Sequence, residues 1–151
     1  MKQVTLPPPK TASKPKASPG STLFGLLEAA RALETRLEAA MDEVGLSMAK
    51  FGVLKTLAAA SEPVTLTELA SCQRCVRSNI TQLIDRLESD GLVKRIDDPA
   101  DRRSIRAAMT PLGRDRFVAG ERALKVLIQD VSNVVSADDR EALSRLFAAL
   151  K

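Results

Sequence analysis

Two sets of side chains in this sequence could do chemistry. The first is Cys72-Gln73-Arg74-Cys75, two thiols three positions apart with an arginine between them. A C-x-x-C pair can cycle between dithiol and disulfide, and a neighbouring guanidinium favours the reactive thiolate. The second set contains no nucleophile. Arg77, Ser78, Asn79, Thr81, Gln82 and Arg86 fall within one short segment, and Asp101, Arg102 and Arg103 fall together further on. Hydroxyl and amide groups on an exposed helix can reach base edges in the major groove of DNA, and a projecting arginine can enter a narrow minor groove. The chemistry on offer is thiol redox or nucleic-acid recognition.

Composition separates the two. The chain has no His, Trp or Tyr. Without His the usual general base and the commonest zinc ligand are missing, and two cysteines alone cannot complete a tetrahedral zinc site. No metal, cofactor or enzymatic activity is expected. A thiol oxidoreductase would also need the strand–helix setting of a thioredoxin-like fold, which the surrounding pattern does not offer. The scarcity of aromatics argues against reading unstacked bases, which need stacking platforms, and favours duplex DNA. Charge agrees with that. Residues 74–116 hold ten Arg and Lys against seven Asp and Glu, whereas residues 21–73 have a net charge of −3. A basic focus on the same segment as the polar helix face is what phosphate contacts require.

These side chains need elements to position them. Ile80, Leu83, Ile84 and Leu87 recur at helical spacing and predict one buried stripe. Ser78, Thr81, Gln82 and Asp85 then lie on or near the opposite face, with Arg77 at the helix start; an ordinary solvated face is the bland alternative. Gly91 predicts a left-handed helix stop. Leu92–Ile96 and Ser104–Thr110 predict the two strands of a hairpin, the second with Ile105, Ala107 and Met109 on its buried side. The connection Asp97–Arg103 is rich in Asp, Pro and Arg, so it is expected to project into solvent. On the other side, Thr65 and Glu68 have capping-box spacing and predict a helix opening at about Leu66, with Val64-Thr65 as a short strand against the hairpin.

The flanks read as packing elements. Residues 1–20 carry five prolines, four lysines and no acid, and predict a disordered basic arm. Ser21 or Thr22 is the expected cap of a long helix ending near Val44 and Gly45, with Leu23, Leu26, Leu27, Ala30, Leu33, Leu37, Met41 and Val44 on one face. Ser47 is expected to cap a helix carrying Phe51, Leu54, Leu57 and Ala58. After the hairpin, Thr110-Pro111 predicts a cap and first-turn proline for a helix reaching about Val135, and Ser136 with Asp139 predicts a capping box for the last one. The apolar stripe of the long helix is wider than one contact needs, and the last helix carries Leu143, Leu146, Phe147 and Leu150 on one side. Apolar helices at both ends around a compact central unit predict a homodimer. Neither a signal-peptide apolar region nor an apolar run of about 18 residues occurs, so a cytoplasmic protein with no membrane partner is expected.

The central residues resemble a known family. NITQLIDRLESDGLVKR followed by DDPADRRSIRAAMTPLGR is similar to the MarR family of winged-helix transcriptional regulators, over most of residues 21–151. The resemblance implies a mainly α fold with a small β-wing, in which a winged helix-turn-helix DNA-binding unit, about residues 64–110, is flanked by dimerisation helices at about 21–44 and 111–151. It implies that Ser78, Asn79, Thr81 and Gln82 face the major groove. It also implies that Arg103, oriented by Asp101, enters the minor groove. Gln82 stands where many members carry arginine, and Gln73-Arg74 where many have an apolar residue and then glycine. Cys75 occupies the slot of a small apolar residue, which makes a buried, inert thiol the expectation over a redox pair. The implied function is a dimeric repressor on a pseudo-palindromic double-stranded operator, released by a small, often anionic aromatic inducer; no residue identifies that ligand. A redox-responsive regulator using Cys72 and Cys75, or an architectural DNA binder aided by the basic arm, are the alternatives.

Overall fold

The apolar stripe that begins at Ile80 lies at the centre of the core. A computed structural model describes residues 18–72, 77–98 and 104–150. In chain order the described elements are α1 (Pro19–Asp42), α2 (Met48–Ala59), β1 (Val64–Thr65), α3 (Leu66–Cys72), α4 (Arg77–Ser89), β2 (Val93–Asp97), β3 (Ile105–Met109), α5 (Pro111–Val134) and α6 (Ala137–Ala149). The chain divides into two units, Met1–Leu33 and Glu34–Lys151. The core and all the sites described below belong to the second. Among the described residues no helix is long and apolar enough to cross a membrane.

In the first unit α1 opens at Pro19, two residues before the expected cap. Ser18 is the capping residue: its Oγ accepts from the Ser21 amide at 3.2 Å. Proline has no amide hydrogen to satisfy and its fixed φ suits the first helical position, so Ser18 outcompetes Ser21 and Thr22. The expected disordered arm lies outside the described residues as far as residue 17, and its last two positions are helical.

In the second unit Ile80, Ile84 and Leu87 are fully buried with Met41, Val53, Leu54, Leu69 and Val93. Burial of each such side chain contributes about 1.5–3 kcal/mol, which holds α4 in place with its other face turned out. Phe51 of α2 stacks on Phe117 of α5, ring centroids 5.5 Å apart. Lys50 donates to the Asp90 carboxylate at 2.6 Å and ties α2 to the end of α4. Ser47 caps α2, Thr110 caps α5, and Ser136 with Asp139 forms a complete capping box on α6.

The strands form one antiparallel sheet in the order β1-β3-β2. Val64 pairs with Ala107 and Thr65 with Arg106, while β2 runs alongside β3 from Val93↔Met109 to Asp97↔Ile105. Gly91 has φ +71°, the left-handed stop that turns the chain from α4 into β2. Ile105 departs from expectation. Alternation puts it on the buried side of its strand, but it is 41% exposed, whereas Ala107 on the same face is fully buried. The short β1 reaches only Ala107 and Arg106, so the outer end of the hairpin extends beyond the elements that cover the rest.

Candidate nucleic-acid interface

Two helices and a hairpin converge on the site. Thr65 and Glu68 close a capping box at the start of α3. The Thr65 amide and hydroxyl donate to the Glu68 carboxylate at 2.9 and 2.8 Å, and the Glu68 amide donates to Thr65 Oγ1 at 3.2 Å. The bond from the Thr65 side chain, reinforced by that from its backbone, holds the Glu68 carboxyl below its ordinary range. The connection from α3 to α4, with Gln73, Arg74 and Cys75, lies outside the described residues.

On α4, Asn79, Thr81, Gln82, Asp85 and Arg86 are all exposed, opposite the buried stripe. Asn79, Gln82 and Arg86 are spaced three and four apart and form one row along the helix; Thr81 and Asp85 form the row beside it. Arg77 and Ser78 open the helix by backbone, but their side chains lie outside the described residues. The same holds for Asp101, Arg102 and Arg103. The structure thus brings together four of the expected contact residues, Asn79, Thr81, Gln82 and Arg86, and leaves the other five unplaced.

Two arginines that sequence reasoning passed over organise the hairpin. Arg95 of β2 reaches back to α4, where its guanidinium donates to both Asp85 and Glu88, and its amide donates to Glu88 Oε1 at 3.1 Å. The bond to Asp85, with a further contribution from Glu88, raises the Arg95 pKa, so it is a permanent cation. Arg106 of β3 donates through Nε to Asp98 Oδ2 at 2.8 Å and through Nη1 to the Pro63 carbonyl at 3.1 Å. Its pKa too is raised, chiefly by the bond to Asp98. Asp98 and Arg106 stand across the hairpin from each other, so no local spacing in the sequence marks the second pair. These contacts correct one expectation. Asp98 belongs to the loop assigned to solvent, yet it is only 5% exposed. The Arg106 guanidinium supplies the opposite charge that lets a carboxylate be buried there.

The basic focus is therefore partly spent on bonds within the protein. Arg95 and Arg106 neutralise carboxylates, and Arg116 donates to the Val44 carbonyl at 3.2 Å. Arg86 and Lys94 remain exposed beside the polar rows of α4. Cys72 is a free, exposed cysteine at the end of α3, in an open groove also lined by Thr56, Glu68 and Arg106. Cys75, the other thiol of the motif, lies outside the described residues. Among the described residues no cluster of three or more His, Cys, Asp or Glu could hold a metal ion.

The geometry matches known proteins. Residues 46–105 match the family model described as "MarR family". The chain is 28% identical over 110 residues to the uncharacterized HTH-type transcriptional regulator YdcH of Bacillus subtilis (strain 168), covering 71% of this chain and 73% of that one. Among solved structures, the transcriptional repressor CouR bound to a 23-mer DNA duplex superposes with a TM-score of 0.74 at 28% identity, over 91% of this chain and 99% of that one. Sco3205 of Streptomyces coelicolor, a MarR family transcriptional regulator in complex with DNA, superposes with a TM-score of 0.73 at 23% identity, over 93% and 91%. Motif, matched domain and fold agree: residues 46–105 match the MarR family, and the fold around them is that of MarR winged-helix regulators.

Proposed function

We propose that the protein is a cytoplasmic homodimeric repressor that binds a pseudo-palindromic site on double-stranded DNA in a sequence-specific manner and is released by a small-molecule ligand. The observation that carries this reading is the exposed row Asn79, Gln82 and Arg86, standing on a helix whose other face is fixed in the core by Ile80, Ile84 and Leu87. Amide side chains held that rigidly can discriminate base edges, and Arg86 and Lys94 add phosphate contacts. In this reading Arg77, Ser78 and Thr81 join the helix contacts, and Arg102 and Arg103, the latter oriented by Asp101, act from the tip of the wing, the β2–β3 hairpin. Residues 64–110 form the DNA-binding unit, the segments 21–44 and 111–151 the dimerisation helices, and residues 1–20 an arm adding nonspecific phosphate contact.

Dimerisation is supported by apolar side chains left exposed on the terminal helices, among them Leu23, Phe24 and Leu27 of α1, Val126 and Ile128 of α5, and Phe147 of α6. A two-fold dimer would present two copies of α4 about one helical turn of DNA apart. Ligand release is supported by a groove of about 340 Å³ lined by Arg36, Ala40, Glu43, Ala123, Leu127 and Asp130. Arg36 meets Asp130 there at 3.4 Å, a long and exposed pair that an anion could displace.

The test is a footprint of the purified protein on the DNA upstream of its own coding sequence. The expected result is a protected segment with two related halves. Equal protection of every sequence offered would instead favour an architectural binder.

A further inference from the structure

The ion pair between Asp98 and Arg106 sits where three parts of the DNA-binding unit meet. Asp98 is the residue after β2, and its amide donates to the Ser104 carbonyl at 3.1 Å, closing the neck of the hairpin. Its carboxylate binds Arg106, whose other arm holds the Pro63 carbonyl just before β1. Arg106 is also the ladder partner of Thr65, which caps α3 with Glu68. One guanidinium therefore joins the neck of the wing to the strand that launches the helix-turn-helix.

Asp98 is buried and Arg106 partly so; an ion pair drawn out of water contributes little net stability compared with apolar side chains of the same volume, and its best-attested use is to fix one arrangement among several. Here the arrangement fixed is the angle of the wing. Among the described residues no third strand covers the outer end of the hairpin past Arg106, since β1 stops at Thr65. Ile105 is exposed. Arg95 fastens β2 to α4, and on the β3 side the Asp98 carboxylate and the Pro63 carbonyl are the contacts through which Arg106 ties the neck of the hairpin to the chain entering β1.

We propose that Asp98 and Arg106 are positioning residues that aim the wing at DNA, so that contact between wing and minor groove depends on this pair while base reading by α4 does not. The inference rests on the DNA-binding reading above. Arginine suits the task because its planar fork bonds two acceptors at once, which the single ammonium of lysine cannot do in the same geometry.

The experiment compares the parent protein, Asp98→Asn and Arg106→Lys on one specific duplex by two footprints and a salt titration. Methylation protection of guanine N7 reports the major groove, and hydroxyl-radical protection reports the minor groove. Both variants are expected to keep the parent's helical circular dichroism and its guanine protection. Both should lose minor-groove protection at the flanks and bind about tenfold more weakly, with the slope of log affinity against log salt reduced by about one. Adding Arg103→Ala to Asp98→Asn should then change the slope no further. Variants that keep flanking protection, or losses from Asp98→Asn and Arg103→Ala that simply add, overturn the role of the pair alone. A parent protein that binds no duplex overturns the proposed function and this inference with it.

Discussion

Arg95 holds Asp85 and Glu88 of α4 with one guanidinium, so the strand that opens the β2–β3 hairpin is fastened to the helix that carries the exposed row Asn79, Gln82 and Arg86. Asp85 lies in the row beside Gln82 and is more than half exposed. An unneutralised carboxylate there would repel phosphate. Arg95 removes that charge from the surface and bridges two acids three positions apart on one helix, which would otherwise repel each other.

Replacing Arg95 with Met should therefore have two effects. Stability should fall by about 1–2 kcal/mol, the value of charge-assisted bonds discounted for their partial exposure. Affinity should fall on specific and unrelated duplexes alike, and Asp85→Asn in the same chain should restore part of it. Urea unfolding followed by circular dichroism, with fluorescence polarisation on labelled duplexes, checks both. A double variant that binds no better than Arg95→Met would contradict the neutralising role.

Gly113 is where α5 closes against the wing base. A Cβ there would lie 2.0 Å from the Leu92 carbonyl oxygen and 3.0 Å from Met109 Cγ. The Leu92 oxygen cannot easily retreat, because it also accepts from the Thr110 amide. Gly113→Ala should cost about 3 kcal/mol or more and lower Tm by roughly 6–12 °C. A thermal melt unchanged from the parent would show that α5 sits further from β2 than described.

Acid should weaken the start of α3. The Glu68 carboxyl is depressed by its bonds from Thr65, so the stability it contributes is present above its unfolded pKa and lost as pH falls through its lower folded value. The difference in Tm between the parent and Glu68→Gln should be steady near neutrality and shrink at the acidic end. A difference that persists unchanged in acid would mean that the carboxylate charge is not what the cap uses.

Much of this was legible in the sequence because it is written in local spacing. The α4 stripe, the Gly91 stop, and the caps at Thr65, Thr110 and Ser136 each depend on residues within a turn or two of one another. The burial of Asp98 was not legible. A charged residue in an Asp- and Pro-rich loop reads as solvent, and its neutralising partner sits across a hairpin, joined to a carbonyl 43 residues away. The exposure of Ile105 was hidden for a related reason: alternation shows which side a strand residue faces, not where the covering elements end. For the candidate site, the helix row was readable from periodicity, whereas Asp85 read as a surface acid until Arg95 was placed beside it.

The terminal helices supply a prediction about assembly. Val134, Phe147 and Leu150 are more than half exposed, and a single chain gains nothing from leaving them so. The intact protein should sediment as a dimer at micromolar concentration, and removal of residues 136–151 should give monomer or aggregate. Interference optics are needed, since the chain has neither Trp nor Tyr. A stable monomer of the intact chain would remove the two-fold arrangement from the proposal.

The most direct test of sequence reading is a salt titration of the parent and Gln82→Ala on the footprinted duplex and on a scrambled one of equal length. Gln82 is exposed in the middle of the row formed with Asn79 and Arg86. Loss of a base contact should cost roughly 1–3 kcal/mol on the specific duplex, leave the scrambled duplex unaffected, and keep the salt slope of the parent, since glutamine neutralises no phosphate. An equal loss on both duplexes, or none on either, would contradict sequence reading by α4 through this residue.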